Sequence, residues 1–299
     1  MAVFEGCGVA MILPMFDNGD IDYEGFKKHV QRMIDGGVSA VLVNGTTGEP
    51  ATITWEDEQE LTKIVVDMCK GTKTKVIAGG GSNNTAVAIE KAKFNAKVGA
   101  DANLVVTPYY NKTSQRGLIA HYKAIAEAAP DLPLIMYNVP GRTCMKIAVD
   151  TVVELAKVPN IVAMKDATDD IAYEMEVLTR TRDLDFDLYS GCDDNVLPFV
   201  AAGGKGVISV TANLYPREMQ LFTQLCLDGD LAKAREMALD LNDVSKFLFI
   251  DTNPIMPKAA IKHMGYIESE ALRMPLYPTT DENKKLLFDA MDAFEKKGY

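Results

Sequence analysis

Short runs of Val, Ile, Leu and Ala alternate along the chain with longer segments whose apolar positions recur every three or four residues. The short runs fit strands buried on both faces, and the longer segments fit helices with one apolar stripe. Their alternation is the pattern of a parallel sheet joined by crossover helices. Eight strand candidates result: Gly8 to Pro14, Ala40 to Val43, Lys75 to Ala78, Ala102 to Val106, Leu134 to Tyr137, Ile161 to Lys165, Asp187 to Ser190 and Gly206 to Ser209. Between them, Phe26, Val30, Met33 and Ile34 share one helical face, as do Leu61, Ile64, Val65 and Met68. Asp22, and Thr54 with Asp57 three residues on, stand where N-caps belong, and Gly36 and Gly99 stand where helices should stop.

Eight strand-helix units in roughly 200 to 250 residues match a closed barrel. A doubly wound open sheet typically needs fewer strands and a nucleotide-binding loop after the first. The expected fold is therefore an α/β (β/α)8 barrel over residues 1–228 with a helical C-terminal domain over 229–299. Tyr215 to Leu227 should close the barrel, followed by helices over Leu231 to Phe249, Pro254 to Met264 and Thr280 to Lys297, with Pro275 to Pro278 in the last connection.

The chain has 299 residues, 47% of them hydrophobic, enough to bury a large core, and its net charge of −11 opposes a phosphate backbone, so nucleic acid is not expected as a partner. The apolar stretch Cys7 to Phe16 lacks a positive flank, contains Pro14 and is too short to span a bilayer, which points to a cytoplasmic protein without a membrane anchor. Five cysteines without a C-x-x-C pair argue for reduced thiols, and His29, His121 and His263 lack zinc-site spacing, so no metal is expected. Asp193 and Asp194 could form a carboxylate Mg²⁺ site, but the more ordinary reading is a helix N-terminus favoured by the dipole.

In this architecture chemistry belongs at the carboxyl ends of the strands. The sixth run, Ile161-Val162-Ala163-Met164-Lys165, ends on a lysine where desolvation would favour the free, nucleophilic amine. Position alone also permits a lysine that snorkels to water or pairs with Asp166. The fifth run ends on Tyr137, one strand away, where a phenol can carry protons or simply cap the core. After the second run, Asn44-Gly45-Thr46-Thr47-Gly48-Glu49 offers hydroxyls and N–H donors suited to a carboxylate. Phosphate is the competing ligand, but the G-K-[ST] ending of a P-loop is missing there and after Gly79-Gly80-Gly81.

Four segments, Gly45-Thr46-Thr47-Gly48-Glu49, Thr107-Pro108-Tyr109-Tyr110, Tyr137-Asn138-Val139-Pro140-Gly141-Arg142-Thr143 and Met164-Lys165-Asp166-Ala167-Thr168, resemble the dihydrodipicolinate synthase family. The likeness runs through Ser190-Gly191 and Gly206-Val207-Ile208-Ser209 and is weakest in the C-terminal helices. It implies condensation of pyruvate with L-aspartate 4-semialdehyde on the route to diaminopimelate and lysine, with no cofactor. By the same resemblance Lys165 is the Schiff-base lysine, and Tyr137, Thr46 and a neighbouring subunit's tyrosine matching Tyr110 form a proton relay. Thr47 would hold the pyruvate carboxylate, Gly191 and Ile208 would present main-chain carbonyls, and Arg142 would grip the semialdehyde carboxylate. A homotetramer built as a dimer of dimers is implied. N-acetylneuraminate lyase and 2-keto-3-deoxygluconate aldolase resemble the chain in fold and lysine, but the Gly141-Arg142-Thr143 loop and the Tyr109-Tyr110 pair favour the synthase. A barrel that only binds keto acids would be favoured by loss of Lys165 or Tyr137, and both are present.

Many members of the family are inhibited by lysine in a cleft between subunits. Asn83 and Tyr109 match positions of that cleft and Trp55 could stack on an aliphatic stem, but Val87 stands where the counter-charge to the ligand's ammonium would be. A desolvated ammonium without a counter-charge binds poorly, so weak or absent lysine inhibition is expected.

Overall fold

The computed structural model describes residues 2–299. Its eight strands are β1 (Gly6–Ala10), β2 (Ala40–Val43), β3 (Lys75–Gly79), β4 (Ala102–Val106), β5 (Leu134–Asn138), β6 (Ile161–Asp166), β7 (Asp187–Ser190) and β8 (Gly206–Ser209). All pairings are parallel, the strands follow chain order, and β8 returns to β1, so the expected (β/α)8 barrel is the fold.

Both faces of these strands are covered, which is why they read as unbroken apolar runs. Ala40, Leu42, Ala102, Leu104, Ile135 and Ala163 fill the lumen. Their neighbours Val41, Val43, Val105, Leu134, Met136 and Met164 pack outward into one core with the helices. Because side chains alternate, the lumen-facing parity of Ala163 carries on to Lys165. At the opposite end of the lumen Phe4 stacks on Tyr189 with centroids 4.3 Å apart, and the Tyr189 hydroxyl donates to the Phe4 carbonyl at 2.8 Å.

The local signals act as read. Asp22 accepts from the Gly25 N–H at 2.8 Å, and Thr54 and Asp57 cap each other's backbone reciprocally. Gly99 takes the left-handed conformation at φ 88°, whereas after the first helix Gly37, not Gly36, does so. The first strand is a correction: it spans Gly6–Ala10, beginning two residues and ending four residues earlier than expected. Its pairings end at Ala10 with Leu42 and at Val9 with Ser209, and the chain beyond leaves the ladder for the core between barrel and helices. Ile12 N–H then donates to the Asn213 side chain at 3.0 Å instead of to a strand, so the residues as far as Pro14 stay buried without being sheet.

The helix Pro216–Leu227 packs against β1 and closes the barrel. Beyond it, helices Leu231–Phe247, Ile255–His263 and Asp281–Glu295 bury Met237, Leu241, Val244, Met256, Leu287 and Met291 in the same core as the barrel's outer face. Their connection through residues 248–254 passes over the barrel mouth, and this placement gives the extension a part in the site.

Candidate active site

The strand ladder sets the first contacts. Tyr137 on β5 is in register with Lys165 on β6, so both reach the lumen at the same end of the barrel. Lys165 is only 5% exposed, and its Nζ lies 4.6 Å from the Tyr137 ring centroid. Snorkelling to water is thereby excluded, and Asp166, one residue on, faces the opposite way. Its carboxylate accepts from Asn138 Nδ2 at 2.7 Å and from the Thr168 N–H at 3.1 Å, tying the ends of β5 and β6 together. Gly191 closes the third side: a Cβ there would stand 2.9 Å from Lys165 Cε, so any other residue would displace the amine.

Burial drives the Lys165 amine from its ordinary 10.5 down to about 8. Cys192 and Asp193 oppose that shift and Arg142 adds to it. At neutral pH about a tenth of such an amine is free, against well under one part in a thousand for an exposed lysine. Burial pushes the Tyr137 phenol up to about 12 despite nearby Arg142 and a side-chain hydrogen bond with Thr46. The phenol therefore stays protonated at neutral pH and both gives and takes hydrogen bonds, as a relay must.

A cavity of about 380 Å³ opens over this group, lined by Thr46, Thr47, Tyr137, Arg142, Lys165 and Gly191 together with Cys192, Asp193 and Asn253. A second cavity of about 420 Å³ shares Thr46, Tyr137, Arg142 and Asn253 with it and reaches Tyr109 and Lys91. Ile208 is fully buried in the lumen cluster beside Tyr137. Tyr110 is 93% exposed at a left-handed φ of 67°, away from its own chain's cavity.

Three residues of this neighbourhood, Cys192, Asn253 and Lys258, were not singled out as chemistry in the sequence, and a fourth, Asp193, was weighed there between a metal ligand and a helix N-terminus. Asp193 Oδ2 accepts from the N–H groups of Val210 and Thr211 and from the Thr211 hydroxyl, binding the β7 and β8 loops together. Cys192 lines the cavity, with its thiol pushed up to about 12 mainly by burial. Asn253 donates from Nδ2 to Thr47 Oγ1 at 3.0 Å, and its main-chain carbonyl accepts from Arg142 Nη2 at 3.1 Å. Lys258 forms a fully buried ion pair with Glu49 at 2.7 Å. Glu49 was visible only as the last letter of a motif, and nothing in the apolar pattern of the last helices marks Asn253 or Lys258.

Among the residues matched above to the family's regulatory cleft, the Asn83 amide donates to the Tyr109 carbonyl at 3.3 Å. Trp55 packs edge-on to Phe94, with Lys91 Nζ 5.5 Å from the indole and bonded to Glu58 at 2.6 Å.

A closed parallel barrel with a desolvated lysine at the carboxyl end of its sixth strand defines the class: a carbon-carbon lyase of the aldolase type. Comparison with known proteins is more specific. The Dihydrodipicolinate synthetase family matches residues 3–294, and the chain belongs to that family. It is 43% identical over 295 residues to the 4-hydroxy-tetrahydrodipicolinate synthase of Thermoanaerobacter sp. (strain X514), covering 98% of each chain. A crystal structure of the dihydrodipicolinate synthase of Cyanidioschyzon merolae with lysine bound superposes with a TM-score of 0.94 at 38% identity, covering 99% of each chain. The chloride-inhibited enzyme of Acinetobacter baumannii complexed with pyruvate also gives 0.94, at 37% identity over 97% of this chain and 99% of that one.

Proposed function

We propose that this chain is a 4-hydroxy-tetrahydrodipicolinate synthase, which condenses pyruvate with L-aspartate 4-semialdehyde through a Schiff base on Lys165, within diaminopimelate and lysine biosynthesis. One observation supports this most strongly: the buried Lys165 amine stands in register with Tyr137, which is hydrogen-bonded to Thr46, at the wall of a cavity that also holds Arg142. The free amine attacks the keto carbon, Tyr137 and Thr46 pass protons to the departing oxygen, and water leaves. The iminium acidifies the adjacent methyl group, and the resulting enamine attacks the aldehyde. Positioning and proton transfer are the protein's contribution. Thr47 holds the pyruvate carboxylate, with Gly191 and Ile208 lending main-chain carbonyls, and Arg142 receives the carboxylate of the second substrate.

The test is a coupled assay with pyruvate and aspartate semialdehyde, run beside sialic acid and keto-deoxy sugars. Turnover of a sugar acid in preference to the semialdehyde would move the chain to another pyruvate-dependent aldolase. A purified, folded protein that binds pyruvate without turnover would make it a keto-acid-binding barrel.

The remaining assignments belong to the same reading. Tyr110 reaches the site of a neighbouring copy within a tetramer made as a dimer of dimers. Its full exposure and left-handed backbone suit a side chain offered outward. Tyr110→Phe is expected to lower kcat roughly tenfold or more with little change in thermal stability, because the lost hydroxyl acts on protons rather than packing. Unchanged kcat in an assembled tetramer would remove Tyr110 from the relay. No described helix is long and apolar enough to cross a membrane, and we place the enzyme in the cytoplasm, with residues 1–228 as catalytic barrel and 229–299 as helical extension.

By the family resemblance Asn83, Tyr109 and Trp55 belong to a regulatory cleft, at which lysine is expected to bind weakly or not at all. Val87 brings no charge there, and Lys91 already places its own ammonium by Trp55 with Glu58 as partner. Millimolar lysine is expected to leave the rate nearly unchanged, and strong inhibition in that range would show that the cleft finds its counter-charge elsewhere.

A further inference from the structure

We propose that Asn253, contributed by the C-terminal extension, is a positioning residue that aims the Thr47 hydroxyl as a hydrogen-bond donor at the carboxylate of the bound keto acid. The inference rests on the keto-acid reading above and adds a residue to it.

A threonine hydroxyl carries one proton and two lone pairs, and left alone it readily turns to a nearby main-chain carbonyl. Thr47 is buried at the cavity wall, and Asn253 Nδ2 reaches its Oγ1 at 3.0 Å. An amide NH₂ only donates, so this contact occupies Thr47 Oγ1 as an acceptor and leaves its proton for a different direction. A carboxylate in the cavity is the acceptor that direction serves. The arrangement is kept at a cost: Asn253 Oδ1 is buried with no hydrogen-bond partner among the described residues. An unpaired buried carbonyl calls for an explanation, and holding Nδ2 on Thr47 supplies one.

The two residues are also fixed relative to each other from outside the site. Glu49 lies two residues after Thr47, and its carboxylate takes Lys258 on one oxygen at 2.7 Å and the Arg273 N–H on the other at 3.1 Å. Lys258 belongs to the helix Ile255–His263, which begins two residues after Asn253. The Asn253 carbonyl meanwhile accepts from Arg142, so one residue touches both groups assigned to substrate carboxylates. Removal of its side chain leaves that carbonyl in place, which makes the Thr47 contact separately testable.

Asn253→Ala, and Asn253→Leu as a variant that keeps the volume, are expected to raise the KM for pyruvate about tenfold, the size of one lost oriented hydrogen bond. The KM for the semialdehyde and kcat should move much less. Thr47→Val should raise the pyruvate KM by a similar factor, and combining it with Asn253→Leu should add little, because both remove the same interaction. Pyruvate-dependent borohydride trapping, normalised to folded protein by circular dichroism, reads binding independently of turnover. An unchanged pyruvate KM in both Asn253 variants, multiplicative effects of the Asn253 and Thr47 substitutions, or a loss that merely follows the folded fraction would each overturn the proposal. Failure of the underlying functional reading shows instead in the unaltered protein, as no borohydride adduct with pyruvate.

Discussion

Lys165→Met should be inactive and at the same time more stable than the parent protein. Without the amine no covalent intermediate forms, and turnover is expected to fall by about 10⁴ or more, since the remaining groups only bind and position. Stability moves the other way because the amine is held in an environment that disfavours its charge. Its folded value is about 8 against 10.5 for a free lysine, so the unfolded chain binds more protons between those values. The destabilisation is fully present below pH 8, amounts to about 3 kcal/mol there, and disappears as pH rises to 10.5. Methionine fills similar space without that charge, so the variant should gain a large part of this at pH 7 and almost nothing at pH 10.5. Denaturant titration at the two pH values checks the stability, and borohydride trapping with peptide mapping checks the chemistry. A pyruvate adduct on a different lysine, or normal turnover in the folded variant, would remove Lys165 from its role.

The same physics explains what could be read from the chain. Strand runs buried on two faces leave a strong apolar signal, so seven of the eight strands were placed to within a residue or two and the exception, Gly6–Ala10, failed where buried backbone leaves the ladder for the Asn213 side chain. Period two placed Lys165 and Tyr137 at the end of their runs, and parallel pairing put them side by side. The motifs at the strand ends named the other contributors from the barrel.

What stayed hidden came from contacts between segments about two hundred residues apart. Asn253 meets Thr47 and Lys258 meets Glu49 only because the last helices fold back over the mouth. Neither residue type is distinctive in its local context: an asparagine before proline reads as a turn, and a lysine on a helix reads as solvated. Only a fold in which that helix face is covered on every side makes Lys258 a buried charge in need of a partner. The extension is thus bound to the barrel through polar contacts at the site as well as through the shared apolar core.

The pair Lys258 and Glu49 therefore yields a second large expected effect. Both side chains are fully buried, and removing one partner strands the other charge in a poorly solvated place. Lys258→Met is expected to destabilise the protein by about 3 to 5 kcal/mol, whereas Lys258→Met with Glu49→Gln should recover much of the loss, because two neutral groups need no mutual charge. Glu49→Gln alone leaves the ammonium. Burial already lowers Lys258 below its ordinary value and Glu49 is the largest opposing influence, so the variant's deficit should be full at neutral pH and shrink as pH rises toward 10.5. The effect also reaches the chemistry, since Glu49 lies on the loop carrying Thr46 and Thr47. The surviving folded fraction of Lys258→Met should show a raised pyruvate KM, measurable at low temperature or with stabilising osmolyte. Equal losses in the single and double variants would mean that the pair acts through shape and packing alone. A normal pyruvate KM in the folded single variant would show that the loop holds its geometry without the clamp.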